Sequence, residues 1–289
     1  MSGKKWAQYF RLLRVKHYTK NLLIFIPLIF DRAAADPSRL MQAVCGFAVF
    51  SLLASSVYII NDIKDRERDR LHPEKRMRPL ASGEVNLREA AGLLSCCLIL
   101  SMLLHFTSAG AGSGKSTLLL LLYLVLNIGY SVGLKDVPIL DIMILASGFL
   151  IRVLYGADVT GVVISGWLFL TVLSAAVFLG LGKRRNEFSQ TEPGTTRSVL
   201  VHYSYAFLDR NMYMFMTLAN MFYALWAREH SREEMLWTVP LIMAVSMRYS
   251  LDLEKGSDGD PVEVILHDHV LLVILALYAV SILVIMYRI

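Results

Sequence analysis

The sequence predicts an all-α, polytopic membrane protein, a bundle of nine transmembrane helices. Three observations carry that expectation. The chain is 55% hydrophobic and only 18% charged over 289 residues, which is apolar for its length. Its apolar runs recur at lengths that cross roughly 30 Å of hydrocarbon. None alternates with period two, so the backbone must be satisfied inside helices rather than in a closed barrel. Finally, Lys and Arg concentrate on one side of the threading those runs impose.

Taken in order, the expected spans are 18 to 31, 40 to 60, 87 to 106, 116 to 133, 139 to 155, 164 to 181, 206 to 227, 236 to 250 and 269 to 288. The first is short and follows a basic N-terminus of Lys4, Lys5, Arg11, Arg14, Lys16 and Lys20. Its apolar run starts near Leu22 without a small-residue cleavage site, so no signal peptide is expected. The eighth is interrupted by polar residues. Threaded alternately from a cytoplasmic N-terminus, 21 of the 29 bases fall inside and 6 outside, with Arg152 and Arg210 within spans. That bias is the positive-inside pattern and predicts an integral protein of the cell membrane. The net charge of +5 matters less than this distribution, and no nucleic-acid partner is expected. No linker rich in Pro, Gly or Ser divides the chain, so residues 1 to 289 read as one membrane domain. Cys45, Cys96 and Cys97 sit in apolar stretches without ligand spacing and read as packing residues.

The block from Asn61 to Gly83 is where chemistry is expected, because it lodges acids and bases between two long apolar stretches. On a helix turning about 100° per residue, Asn61, Asp65, Asp69 and Asp62 fall within an arc of roughly 100°. A face of three carboxylates and an amide suits a hard divalent cation such as magnesium, which accepts carboxylate and phosphate oxygens together. Lys75, Arg76 and Arg78 follow and are suited to hold the remaining phosphate oxygens. On the same threading the Lys135 turn, the Lys183 loop and residues 251 to 268 share the cytoplasmic face with this block.

Lys135 is suited to a phosphate, although a juxtamembrane Lys also serves orientation. Asp141 and Arg152 lie about 20° apart in helical phase and about 16 Å apart in rise, so they share a face without touching. Arg152 lies deep in an apolar run, where an ionisable side chain usually faces a polar cavity or a partner. Lys183 and Glu187 stand one helical turn apart and form either a second phosphate and metal arm or a surface anchor. Lys20-Asn21 poses the same ambiguity. Gly110 to Thr117 resembles a nucleotide-binding loop, but Ala109 stands where that pattern needs Gly and no strand precedes it, so it reads as a turn. His267-Asp268-His269 reads as interfacial polar residues, and Met212 to Met216 as packing.

Asn61-Asp62-x-x-Asp65-x-x-x-Asp69 leaving a transmembrane helix resembles the first signature of the UbiA superfamily of intramembrane prenyltransferases, nine-helix bundles with a magnesium-diphosphate site under a cytoplasmic cap. The resemblance extends over essentially the whole chain. The longer run Asp69-Arg70-x-His72-Pro73-x-Lys75-Arg76-x-Arg78-Pro79-x-Ala81-Ser82-Gly83 carries it further. With it go Lys20-Asn21, Tyr130-Ser131, Leu134-Lys135, Leu140-Asp141, Arg152, Gly182-Lys183-Arg184, Glu187 and Asp260-Pro261-Val262-Glu263. Together they are most similar to the branch that transfers a phosphoribosyl group from 5-phosphoribosyl 1-diphosphate to a polyprenyl, decaprenyl-type, phosphate.

The resemblance implies that Asp62, Asp65 and Asp69 bind Mg2+ with Asn61 assisting, and that Lys75, Arg76 and Arg78 hold donor phosphates. Lys20, Lys135, Lys183 and Arg184 would complete the anionic pocket. The candidate catalytic residues are therefore Asp62, Asp65, Asp69 and Lys183. The substrate-binding candidates are Lys20, Asn61, Lys75, Arg76, Arg78, Tyr130, Lys135, Asp141, Arg152, Arg184 and Glu187. One departure from the superfamily is informative: its second Asp-rich motif is absent, and Lys183 to Glu187 occupies that loop. This fits the phosphoribosyl branch better than ordinary binding of a prenyl diphosphate. A prenyltransferase with an aromatic or lipid acceptor is the alternative, and a transporter or lipid-binding protein without chemistry is the reading of another class. The downstream pathway, cell-wall glycan synthesis among others, and a homo-oligomeric state stay open.

Overall fold

The structure, a computed structural model of the chain, describes residues 3–71, 75–108, 114–190, 197–230, 233–255 and 261–287, and these contain helices and connecting turns with no strand. In chain order the α-helices are α1 (Gly3–Leu13), α2 (Ile26–Phe30), α3 (Pro37–Lys64), α4 (Arg66–Arg70), α5 (Leu87–Thr107), α6 (Gly114–Val132), α7 (Leu140–Thr160), α8 (Gly166–Gln190), α9 (Tyr205–His230), α10 (Val239–Glu254), α11 (Pro261–His267) and α12 (His269–Tyr287). Among the described residues, six of them, α3, α5, α6, α7, α8 and α12, are long and apolar enough to cross a membrane.

The other three expected spans fall on different structures. Residues 18 to 31 form a 3-10 helix, Val15–Phe25, running into α2 rather than one continuous α-helix. Residues 206 to 227 lie in α9, whose middle carries Asn211, Thr217, Asn220 and two tyrosines, Tyr213 and Tyr223, that lower its hydropathy. Residues 236 to 250 are divided between a short 3-10 helix, Glu233–Thr238, and α10, which at 16 residues is brief for a span.

Two compact units divide the chain, the first comprising residues 1–28, 33–131 and 152–162, the second residues 29–32, 132–151 and 163–289. In the first, α3 is the central element. Its start is fixed by Asp36, whose carboxylate accepts the Ser38 N–H at 2.9 Å, and by Pro37 in the first turn. Its buried face is lined with Gly46, Ser51, Ala54, Ser55 and Ser56, small residues that let neighbouring backbones approach. Ser55 donates to the Leu13 carbonyl at 2.8 Å, and Ser101 of α5 donates to that of Val49 at 3.0 Å. At one end of α3, Leu12 of α1 packs with Ile59, Leu80, Val85 and Ala90. The turn after the Arg78–Ala81 stretch ends in a reciprocal cap, Asn86 with Glu89, which starts α5.

In the second unit α8 and α9 lie side by side, and Ile142, Val177, Leu181, Leu208, Met212 and Leu253 form a core with Val199 and Leu200. A second cluster joins Leu168, Tyr223, Trp226 and Ile282, with Phe30 edge-on to Trp226 at 4.8 Å.

One glycine carries a specific steric demand. A Cβ on Gly156 would overlap the Ile24 carbonyl oxygen and lie 2.8 Å from its carbon, so α7 meets the 3-10 segment backbone to backbone. Nothing lies within 4 Å of a Cβ on Gly92. Gly156→Ala therefore lowers the thermal unfolding midpoint in detergent, costing about 1–3 kcal/mol as for overpacking. Gly92→Ala, measured alongside, leaves it in place.

Candidate active site

The acidic block is bent rather than straight. α3 ends at Lys64, Asp65 takes φ −88° and ψ 2°, and α4 resumes at Arg66. The N–H groups of Asp65 and Asp69 still bond to the carbonyls of Asn61 and Asp65, at 2.9 and 2.8 Å, so the register of the acids survives the bend. Their side chains do not share one fate. Asp62 and Asp69 are buried, at 3% and 4% exposed. Asp65 is half-buried, with no hydrogen-bond partner for its carboxylate among the described residues. Asn61 turns to Ser131, whose hydroxyl donates to its side-chain oxygen.

Two guanidinium groups meet the two buried carboxylates. Arg14 donates to Asp62 Oδ1 at 2.6 Å and stacks over the Tyr58 ring at 4.7 Å. Arg78 Nη1 donates to Asp62 Oδ1 at 3.3 Å and to Asp69 Oδ2 at 2.7 Å. By formal charge this cluster of four is neutral, which is how carboxylates can be buried without a prohibitive desolvation cost. Lys75 and Arg76 lie exposed on the short turn that precedes Arg78. His72, Pro73 and Glu74 lie outside the described residues, as does Asp260 of the expected Asp260 to Glu263 motif.

Among the described residues no three Asp, Glu, His or Cys side chains converge as a metal cage, so Asp65 does not complete one with Asp62 and Asp69. Magnesium does not require that many. It is commonly held by one or two carboxylates, the rest of its octahedron being waters and substrate phosphates. Asp62 and Asp69 supply hard oxygen donors gathered around a single cationic nitrogen, and this donor set fits the ion.

Deeper in the same unit, Arg152 is 6% exposed. Its Nε donates to Asn21 Oδ1 at 2.7 Å, an Nη donates to Tyr123 Oη at 3.3 Å, and the group lies 4.8 Å from the Phe50 ring centre. Asn21 in turn donates to Ser51 at 2.9 Å. Lys20 and Tyr130 are half-buried.

The second unit holds another buried network. Asp141 and Arg184 are both fully buried, and Arg184 Nε donates to Asp141 Oδ2 at 2.6 Å. Arg184 Nη1 also donates to Glu187 at 2.8 Å, and Arg197 reaches the same Glu187 oxygen at 3.0 Å. Tyr203 donates to the other Asp141 oxygen at 2.6 Å. Burial, reinforced by that bond to the carboxylate, pushes the Tyr203 phenol up to about 12, so it stays a neutral donor through the physiological range. Lys135 and Lys183 are half-buried beside this network in sequence. His267 bonds the Glu263 carbonyl, while Asp268 starts α12 and accepts from Arg248, which holds its carboxyl well below the usual range.

Sequence reasoning brought out the acids and the bases after them but missed Arg14 and Tyr203. Arg14 was legible only as one of six N-terminal bases. Tyr203 lies in a stretch with no charge pattern of its own.

The profile of the UbiA prenyltransferase family matches residues 24–258. The chain belongs to this family. A decaprenyl-phosphate phosphoribosyltransferase of Corynebacterium glutamicum is 33% identical to this UbiA-family chain over 276 residues, covering 91% of it and 82% of that protein. One from Mycolicibacterium smegmatis is 30% identical over 282 residues, covering 90% and 86%. Among solved structures, a UbiA homolog from Archaeoglobus fulgidus bound to DMAPP and Mg2+ superposes with a TM-score of 0.72 at 22% identity, covering 98% of this chain and 100% of that one. That likeness establishes the UbiA fold.

The Asp141–Arg184 pair gives a direct test of burial. Asp141→Ala strands a fully buried guanidinium, and breaking such a pair costs about 3–5 kcal/mol. Arg76→Ala on the exposed turn stays within about 0.5 kcal/mol of the parent. Denaturation of both variants in the same detergent measures the contrast.

Proposed function

We propose that this UbiA-family protein transfers the 5-phosphoribosyl group from 5-phosphoribosyl 1-diphosphate to a polyprenyl phosphate in the membrane plane, releasing diphosphate, at a site on the cytoplasmic face. The observation that carries the reading is the pair of buried carboxylates, Asp62 and Asp69, gathered on Arg78 in a chain one-third identical to a decaprenyl-phosphate phosphoribosyltransferase along most of its length. The absence of a second Asp-rich motif supports a phosphoribosyl rather than a prenyl donor.

Bound magnesium would supply charge neutralisation to the departing diphosphate. On this reading Asp62, Asp65 and Asp69 would hold the ion, the two buried carboxylates foremost. Arg78 pairs with both buried carboxylates and Arg14 with Asp62, which aims them. Arg78, half-buried at the edge of the pair, is placed to exchange a carboxylate for a phosphate oxygen. Lys75 and Arg76 extend the positive surface from the adjoining turn, and Lys20, Lys135 and Lys183 are further phosphate contacts. The acceptor phosphate is already ionised at neutral pH, so the reaction needs two anions positioned and positive charge at the anomeric carbon tolerated. No strong general base is required. Asp141, Arg184 and Arg152 are satisfied within the protein and serve to hold the backbone elements that carry these contacts.

Asp62→Ala and Asp69→Ala each abolish transfer of labelled phosphoribose to polyprenyl phosphate by pure protein in detergent with magnesium. Full activity in both would sink the assignment. A donor screen run in parallel separates the alternatives. Turnover of a prenyl diphosphate without use of phosphoribosyl diphosphate makes the protein a prenyltransferase, and no product from either donor makes it a binding protein or transporter.

A further inference from the structure

The turn that leads into α7 is strained, and its strain has a dedicated restraint. Ile139 sits at φ +70°, a region β-branched residues avoid and that costs on the order of 1–3 kcal/mol. Its side chain is 56% exposed, so packing within the protein offsets little of that cost. Its N–H instead donates to Tyr203 Oη at 2.6 Å. The same hydroxyl donates to the buried Asp141, two residues on. The segment around Tyr203 is tied to its surroundings twice more: Ser198 donates to Asp136 in the Leu134–Asp136 turn, and Arg197 pairs with Glu187 near the end of α8. Through Asp141 the hydroxyl also reaches Arg184, the neighbour of Lys183.

We propose that Tyr203 is a positioning residue: it locks the strained 134–139 turn in the one shape that holds Lys135 where it meets the donor's phosphate groups. The inference rests on the reading of Lys135 as a phosphate contact. Packing alone does not account for it, because a glycine at 139 would adopt the same φ without penalty, and the isoleucine found there has its N–H held by a hydrogen bond that a phenylalanine at 203 would not make, while its carbonyl accepts from the first turn of α7. The hydroxyl touches no substrate in this scheme.

Four proteins in nanodiscs test it, with steady-state phosphoribosyl transfer and a thermal midpoint measured for each. Tyr203→Phe raises KM for phosphoribosyl diphosphate by roughly tenfold, about 1.4 kcal/mol, with kcat within about twofold. Lys135→Ala raises KM by a similar factor, and Tyr203→Phe added to it raises KM little further, since the two act through one contact. Ile139→Gly combined with Tyr203→Phe returns KM to within about threefold of the parent, because glycine needs no restraint to hold a positive φ. A Tyr203→Phe protein with lowered midpoint and unchanged KM overturns the proposal, as does an unchanged KM in Lys135→Ala or failure of Ile139→Gly to restore it. If the parent uses a prenyl diphosphate instead, the functional reading fails by itself, and the same four proteins titrated with that donor still decide the role of Tyr203.

Discussion

Pairing of buried charge is the constraint on which this structure depends. A carboxylate or guanidinium taken out of water must find an opposite charge or a full set of hydrogen bonds. Three places among the described residues show how the protein meets that demand: Asp62 and Asp69 with Arg14 and Arg78, Asp141 with Arg184, and Arg152 with Asn21 and Tyr123. These are also positions through which α3, α7, α8 and the 3-10 segment Val15–Phe25 are tied to sequence-distant neighbours. The helices are apolar, and apolar surfaces slide against one another or against lipid with little preference. Directional contacts between buried charges fix what hydrophobic packing leaves loose.

The three clusters differ in how closed they are. Arg184 and Asp141 are wholly inaccessible. Arg78 retains about a third of its side-chain exposure while its acidic partners are almost sealed. A partly exposed cation over two buried carboxylates is chemically able to trade partners, which a wholly enclosed pair is not.

Much of this was legible in the chain. The spacing of Asn61, Asp62, Asp65 and Asp69 could be read as an acidic helical face followed by clustered bases, because helical phase and local charge are properties of adjacent residues. The helix break at Asp65 was not legible, nor was the half-buried position of its carboxylate beside the buried Asp62 and Asp69. Arg14 joins Asp62 from a left-handed junction at φ 53°, 48 residues away. Tyr203 meets Asp141 across 62 residues. Contacts of that separation are set by how helices pack, and a single sequence carries no record of it. Six of nine expected spans stood out by hydropathy; α9, α10 and the 3-10 segment carry polar residues or irregular backbone that blur the signal.

The Asn21–Arg152 contact has a bearing on how the protein is made. The two residues are 131 positions apart, so Asn21 and Ser51 have left the ribosome long before the arginine does. A helix bearing a buried cation enters the bilayer reluctantly, and here its amide and aromatic partners, Asn21, Phe50 and Tyr123, all precede it in the chain. The order of synthesis is thus the favourable one, with the acceptor made before the costly charge.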